Sequence, residues 1–265
     1  MKKSSSNSKV VVQLVKIGKA FGSEGNRRVA LGDVSFTGYG GEVLLILGPS
    51  GSGKTTFLTI AAGLQPPTSG RVLLFGRSLE DYSSGELQQL RATRFGFVFQ
   101  DFRLIESLKV YQNIELVLQF AGWNRTDIRR RIEQLLTHYD VEYLRNRYPS
   151  NLSQGEKQRI AIIRAVANGG DLIFADEPTA CLDTEQGQDV IRQLLGCSHN
   201  QGSCVIVVSH DIRLKDYADR VFYLQDGLLT ELPELRKLSP SQKQACTANG
   251  ISHLASHSIG KATPQ

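Results

Sequence analysis

The stretch Val43-Leu-Leu-Ile-Leu47-Gly48-Pro49-Ser50-Gly51-Ser52-Gly53-Lys54-Thr55-Thr56 decides the fold. Five apolar residues bounded by glycine read as a fully buried strand. The spacing G-x-x-x-x-G-K-[ST] directly after that strand describes a phosphate cradle. Gly48, Gly51 and Gly53 let the backbone turn sharply and approach an anion closely. Backbone N–H groups of the loop then converge on one concavity, at the N-terminus of a helix starting near Lys54. Lys54 supplies charge for the terminal phosphates, and the Thr55 hydroxyl is placed to hold Mg²⁺. Glycine-rich turns also join strands to helices without a ligand, but here every feature of the motif coincides. The pattern implies a bound nucleoside triphosphate.

The surrounding chain is that of a globular protein. Its 265 residues, 40% hydrophobic and 22% charged, suffice for one large or two modest cores. A net charge of +5 suits an anionic membrane surface, nucleic acid or simple solubility. Arg129-Arg130-Arg131 resembles a nucleic-acid patch in isolation. Ile128, Ile132, Leu135, Leu136 and Tyr139 recur around it at helical spacing, however, so the arginines are expected on a solvated face and no nucleic-acid partner is expected. No run approaches the roughly 18 apolar residues of a membrane helix, and the polar start Met1–Lys9 is not a signal peptide. A cytosolic chain is expected, with Cys181, Cys197, Cys204 and Cys246 as free thiols.

Short β-like runs at Val10–Lys16 and Val34–Phe36, joined by Val72–Phe75, suggest a small antiparallel sheet. Val43–Leu47, Phe97–Phe99, Leu172–Ala175, Val205–Val208 and Val221–Leu224 have the look of buried parallel strands. Helical patterns lie between several of them, so the fold class is α/β: a phosphate-loop core with a parallel sheet and a small N-terminal antiparallel β subdomain. A helical subdomain is expected as an insert over about 101–168, stopped by Gly169-Gly170. The expected boundaries are a disordered 1–9, a nucleotide-binding domain over 10–232 and a flexible polar tail over 233–265. His253 and His257 stand four apart in that tail, but with no third ligand a metal there is not expected.

Two further motifs narrow the chemistry. Leu172-Ile-Phe-Ala-Asp176-Glu177 is an apolar strand ending in paired carboxylates. Asp176 can hold the Mg²⁺ shell and Glu177 can polarise a water as general base; alternatively both merely cap the next turn. Leu152-Ser153-Gln154-Gly155-Glu156-Lys157-Gln158-Arg159 reads first as a capping box, Ser153 with Glu156. The same physics allows a capped helix start to grip a phosphate.

At this point the chain resembles the ABC-type ATPases, whose signature is usually written L-S-G-G-Q. Gln154 replaces the first glycine and Glu156 the glutamine, while Ser153 and Gly155, which contact the γ-phosphate in that family, are retained. The resemblance implies ATP and Mg²⁺ as ligands. It further implies Gln100 as a ligand to Mg²⁺ and the lytic water, Asp183 in Cys181-Leu182-Asp183 at a dimer interface, and His210 as the histidine on the γ-phosphate. Phe21 falls where the family stacks an aromatic on adenine, although it could equally be core of the small sheet.

In the family it resembles, two such domains pair head to tail; with one cradle and one signature per chain, the resemblance implies a dimer with a second copy, each ATP lying between Lys54 of one chain and Ser153 of the other. Ala175–Thr179 and Phe97–Leu108 resemble the ATPases of lipoprotein-releasing, macrolide-exporting and heterocyst glycolipid-exporting systems. That resemblance implies a peripheral subunit on the inner face of the cell membrane, driving an integral membrane permease. Phe102, Leu104, Ile105 and Leu108 would suit a groove that receives it, or simply pack the helical subdomain. A cell-division or cytosolic ATPase of the same family is the alternative.

Overall fold

In the computed structural model, which describes residues 9–23, 26–180, 187, 191, 192, 194, 196, 198 and 202–235, two sheets are built from two kinds of apolar run. β1 (Val10–Phe21) and β2 (Arg28–Tyr39) form an antiparallel hairpin. Both are longer than their apolar centres suggest. Polar and glycine positions break the alternation, and bulges interrupt the register near Lys16 and Asp33, where φ is +50° and +58°. β4 (Ser69–Leu74) pairs with β1 and carries the two-residue β5 (Arg77–Ser78).

β3 (Val43–Leu47) is buried at all five positions and begins the second sheet. A strand with no exposed face needs cover on both sides, and a mid-domain parallel sheet supplies it. Helix α1 (Lys54–Ala61) follows the glycine loop, and α2 (Ser84–Arg94) leads into β6 (Phe95–Val98). Three helices, α3 (Val110–Phe120), α4 (Arg125–His138) and α5 (Gln154–Val166), separate β6 from β7 (Leu172–Asp176) in the chain. β8 (Cys204–Ser209), β9 (Arg220–Gln225) and the hairpin strand β10 (Leu228–Glu231) complete the order β10-β9-β3-β8-β7-β6.

Alternation along these strands divides the core. Val43, Leu45 and Leu47 pack with Ile114, Ile132 and Ile163 of the three-helix insert. Leu44 and Ile46 face the other way, onto Phe57 of α1 and Leu14 and Val72 of the antiparallel sheet. Fully burying each such side chain is worth about 1.5–3 kcal/mol. The insert's helices begin only at Val110: Phe102 and Arg103 are left-handed (φ +60° and +46°), which no helix admits. At its far end Gly169 (φ +69°) donates to Val166 O, stopping α5 as its position suggests. Arg129 and Arg130 lie exposed on α4 and pair with Glu133 and Asp127. Arg131 instead donates to Ala167 O and caps α5.

Register fixes where chemistry can happen. Leu47 lies beside Ser209, Asp176 beside Val208, and Val98 beside Ala175. The loops that follow β3, β6, β7 and β8 therefore leave the same edge, the carboxyl end of a parallel sheet, where such sheets bind ligands.

Candidate active site

The cradle is held open by glycines that cannot be replaced cheaply. Gly51 and Gly53 have φ of +79° and +102°. A Cβ on Gly53 would stand 2.6 Å from Ala30 O, and one on Gly48 2.2 Å from Leu224 O. Pro49, Ser50 and Gly51 form the exposed rim, while Ser52 is buried. Gly53→Ala is expected to cost about 1–3 kcal/mol, lowering the melting temperature by about 2–10 °C, and to abolish ATP binding; thermal unfolding and nucleotide titration check both.

Lys54 opens α1 with only 7% of its side chain exposed, and its Nζ donates to Gly48 O and Pro49 O at 2.9 and 3.0 Å. The same Nζ lies 3.6 Å from Glu177 Oε1. Thr55 is exposed at the helix start, and its hydroxyl donates to Asp176 Oδ2 at 3.0 Å. Thr56 follows it, half-buried, its carbonyl accepting from the Thr59 hydroxyl. The other Asp176 oxygen, Oδ1, is buried without a hydrogen-bond partner. A buried, unsatisfied carboxylate oxygen next to a hydroxyl is the donor set a hard divalent cation takes, so these residues fit Mg²⁺.

Burial raises the Asp176 pKa, and the neighbouring Glu177 charge adds to the rise; the Thr55 hydrogen bond, Lys54 and Arg103 oppose it. Asp176 therefore binds its proton more tightly folded than unfolded. Stability from this group is lost as pH climbs from the ordinary carboxylate range through its raised value. A cation reverses that sign. Mg²⁺ is expected to raise the melting temperature of the wild-type chain above neutral pH. Asp176→Asn should melt higher than wild type without Mg²⁺ and not respond to it; calorimetry with and without Mg²⁺ checks this.

Glu177 is a non-glycine residue in the left-handed region, φ +46°, at the end of β7. Such strain persists only where the surroundings over-determine it. Here they do: its N–H donates to Val208 O, and Oε2 accepts from Ser209 Oγ at 3.0 Å and the His210 backbone N–H at 3.3 Å. The His210 ring Nδ1 lies 2.9 Å from the same oxygen, with its side chain 60% exposed. Strands β7 and β8 thus bring Glu177 and His210 together. Ser209, fully buried, was not singled out; its place between strand and histidine is the signal that could have marked it.

Gln100 sits exposed in the turn two residues beyond β6, on the edge shared with Asp176. Phe21 is 42% exposed at the end of β1, which excludes the core reading. It pairs with Arg28, whose guanidinium reaches Gly51 O at 3.5 Å, so the aromatic stands beside the cradle with Lys19 Nζ 5.3 Å from its ring. Ser153 caps α5: its Oγ accepts from Glu156 N, and Glu156 Oε2 accepts from Ser153 N at 2.8 Å. Gly155 lies half-buried in the first turn. Among the described residues neither Ser153 nor Gly155 hydrogen-bonds to the cradle of its own chain. Glu156 also accepts from Tyr143 Oη at 3.2 Å. Its burial opposes ionisation, but the Ser153 and Tyr143 hydrogen bonds win and lower its pKa. Asp183 lies outside the described residues, as do Cys181, Cys197, Cys246 and the tail from 236 onward; Cys204 is a buried free thiol.

A groove of about 710 Å³ opens beside the site between α2, β6 and α3. Of the four apolar residues expected there, Ile105 lines it and is 40% exposed, whereas Phe102 is buried in the core.

A family model described as ABC transporter matches residues 31–180. The macrolide export ATP-binding/permease protein MacB of Haemophilus ducreyi is 40% identical over 189 residues, 71% of this chain and 27% of that protein. The corresponding protein of Hahella chejuensis is 36% identical over 91% of this chain and 37% of its own length. This chain thus spans about a third of those relatives. Among solved structures, the dimeric post-hydrolysis state of the ATP-binding cassette MJ0796 bound to ADP and Pi is 35% identical. It aligns with a TM-score of 0.77, covering 86% of this chain and all of that one. CbiO1 of Clostridium perfringens, part of the transporter complex cbiONQ, aligns at 0.73 with 27% identity, covering 91% of this chain and 92% of its own.

Proposed function

The chain belongs to the ABC transporter family, and from that premise we propose that it is the ATP-hydrolysing part of an exporting or force-transmitting transporter, driving a separate membrane permease by ATP-dependent dimer closure. The observation that carries the hydrolytic reading is Glu177, held strained between Lys54 on one side and Ser209 and His210 on the other. Lys54 and the cradle N–H groups bind the terminal phosphates, and Phe21 offers a face for the adenine. Thr55, Asp176 and Gln100 would hold Mg²⁺. Bound there, the ion would draw off charge developing on the phosphate oxygens.

Glu177 takes the proton of the attacking water as general base. Ser209 and His210 fix Oε2, leaving Oε1 as the oxygen turned to the Lys54 side of the site. The imidazole of His210 holds Glu177 through Nδ1 and, being exposed, offers its other nitrogen to the γ-phosphate. Ser153 and Gly155 complete the site of a second copy, with Asp183 at the interface; the dimeric cassettes to which the chain is similar support this arrangement. ATP holds the pair closed because the signature helix start meets an anion only there, and loss of the γ-phosphate releases it.

The permease reading is supported by the export relatives and by the apolar groove beside β6, into which a membrane subunit's helix would fit. Among the described residues no helix is long and apolar enough to cross a membrane. The chain would then act at the inner face of the membrane. Purification of tagged Glu177→Gln chain from mildly solubilised membranes with ATP, with mass identification of partners, tests it. An integral permease should co-purify. A soluble dimer without one would favour a cytosolic or cell-division ATPase.

A further inference from the structure

Arg164 interrupts an apolar run, Ile160-Ala-Ile-Ile-Arg164-Ala-Val166, on the helix that Ser153 caps. Its side chain is half-buried, and desolvation pushes its pKa down to about 10 against the opposing charge of Asp101. A cation drawn partly out of water needs its donors matched. Its hydrogen-bond partners are backbone carbonyls: Nη1 donates to Arg103 O, and Nη2 to Phe102 O at 2.7 Å.

Those two carbonyls belong to the successive left-handed residues Phe102 and Arg103. L-residues seldom hold that conformation, still less in pairs, without outside support. Locally, Phe102 N donates to Phe99 O and Arg103 N to Asp101 O, and the exposed Arg103 side chain pairs with Asp101 at 3.3 Å and lies 4.4 Å over the Phe99 ring. The segment starts at Gln100 and forms a wall of the groove through Arg103 and Ile105. Its far end is pinned separately, with the buried Asn113 accepting from Ile105 N and donating to the carbonyls of Ile105, Leu108 and Lys109. Among the described residues, Arg164 gives this near end its side-chain hydrogen bonds from another element, and it does so from α5, while the Phe102 ring is buried.

The geometry points to Arg164 as a positioning residue: its paired bonds to the Phe102 and Arg103 carbonyls strap the Gln100 segment to α5, so that Gln100, the groove wall and Ser153 move as one body. An occupant of the groove that shifts the segment would then shift both halves of the nucleotide machinery together. This inference rests on the nucleotide site proposed above. A residue that merely fills the core would need neither the fork nor the left-handed pair.

The test uses the full chain as Arg164→Lys, Arg103→Gly and the double variant, measuring hydrogen exchange, ATP affinity and turnover. Lysine keeps the charge but cannot span two carbonyls with a planar fork. Arg164→Lys should raise exchange at the Phe102 and Arg103 amides about tenfold or more while α5 stays protected. Turnover should fall about 10- to 100-fold through misplacement of Gln100, with ATP affinity unchanged. Glycine at 103 adopts the left-handed state without support, so the double variant should recover about fivefold or more of the turnover lost in Arg164→Lys. Unchanged exchange and turnover in Arg164→Lys would overturn the strap. So would faster exchange without a turnover loss, or a double variant no better than Arg164→Lys. Wild-type and Glu177→Gln chains run alongside separate the two readings. If wild type hydrolyses no ATP, the nucleotide reading fails, while exchange at Phe102 and Arg103 still reports on the strap.

Discussion

Glu177→Gln is expected to bind ATP as wild type does and to lose about 10²–10⁴-fold in turnover, the usual contribution of a positioned general base. The amide matches the carboxylate in shape. Its oxygen can still accept from Ser209 Oγ and the His210 N–H, which now fix Glu177 Oε2. The left-handed backbone at 177 is therefore retained, and what disappears is the capacity to take a proton. The loss of one negative charge beside Lys54 and Asp176 favours an anionic ligand, so affinity should hold or rise. Equilibrium nucleotide binding and steady-state phosphate release separate the two quantities. A Glu177→Gln chain with normal turnover would remove Glu177 from the chemistry.

Lys54→Ala acts on the other quantity. Deleting the ammonium removes charge-assisted hydrogen bonds worth about 1.5–3 kcal/mol, so ATP should bind about 10- to 150-fold more weakly. A second effect runs the same way. Lys54 helps keep Asp176 ionised, and without it the raised proton affinity of that carboxyl goes further up, weakening the cation site as well. The deficit should therefore deepen as pH falls. Titration of nucleotide at two pH values, with and without Mg²⁺, resolves the two contributions; unchanged affinity would contradict the cradle.

The cradle and the parallel strands were legible because each rests on a local, redundant signal. Val43–Leu47 is apolar at every position, and the glycine–lysine–threonine spacing that follows admits few meanings. The pairing of Asp176 with Glu177 was equally plain, since a strand of buried residues must spend its first polar positions at its end. Helix α2 escaped attention because none of its residues is buried, so it has no apolar stripe to betray it. Its capping box, Ser83 with Glu86, was the available clue. The long antiparallel strands read short because bulges at Lys16 and Asp33 shift the alternation out of phase. The irregular segment 101–109 read as helical because its apolar residues fall at helix-like intervals. Its actual shape is set by Arg164 and Asn113, partners distant in sequence, and no local pattern carries that information. Arg164 itself was detectable as a lone cation in an apolar run.

Sedimentation velocity of the Glu177→Gln chain, with and without Mg-ATP, tests the central claim most directly. The account predicts a monomer without nucleotide and a species of twice the mass with it. Introducing Ser153→Arg into the same chain should restore the monomer in the presence of ATP. A chain that stays monomeric at saturating ATP, or a dimer indifferent to Ser153→Arg, would contradict a composite site shared between two copies.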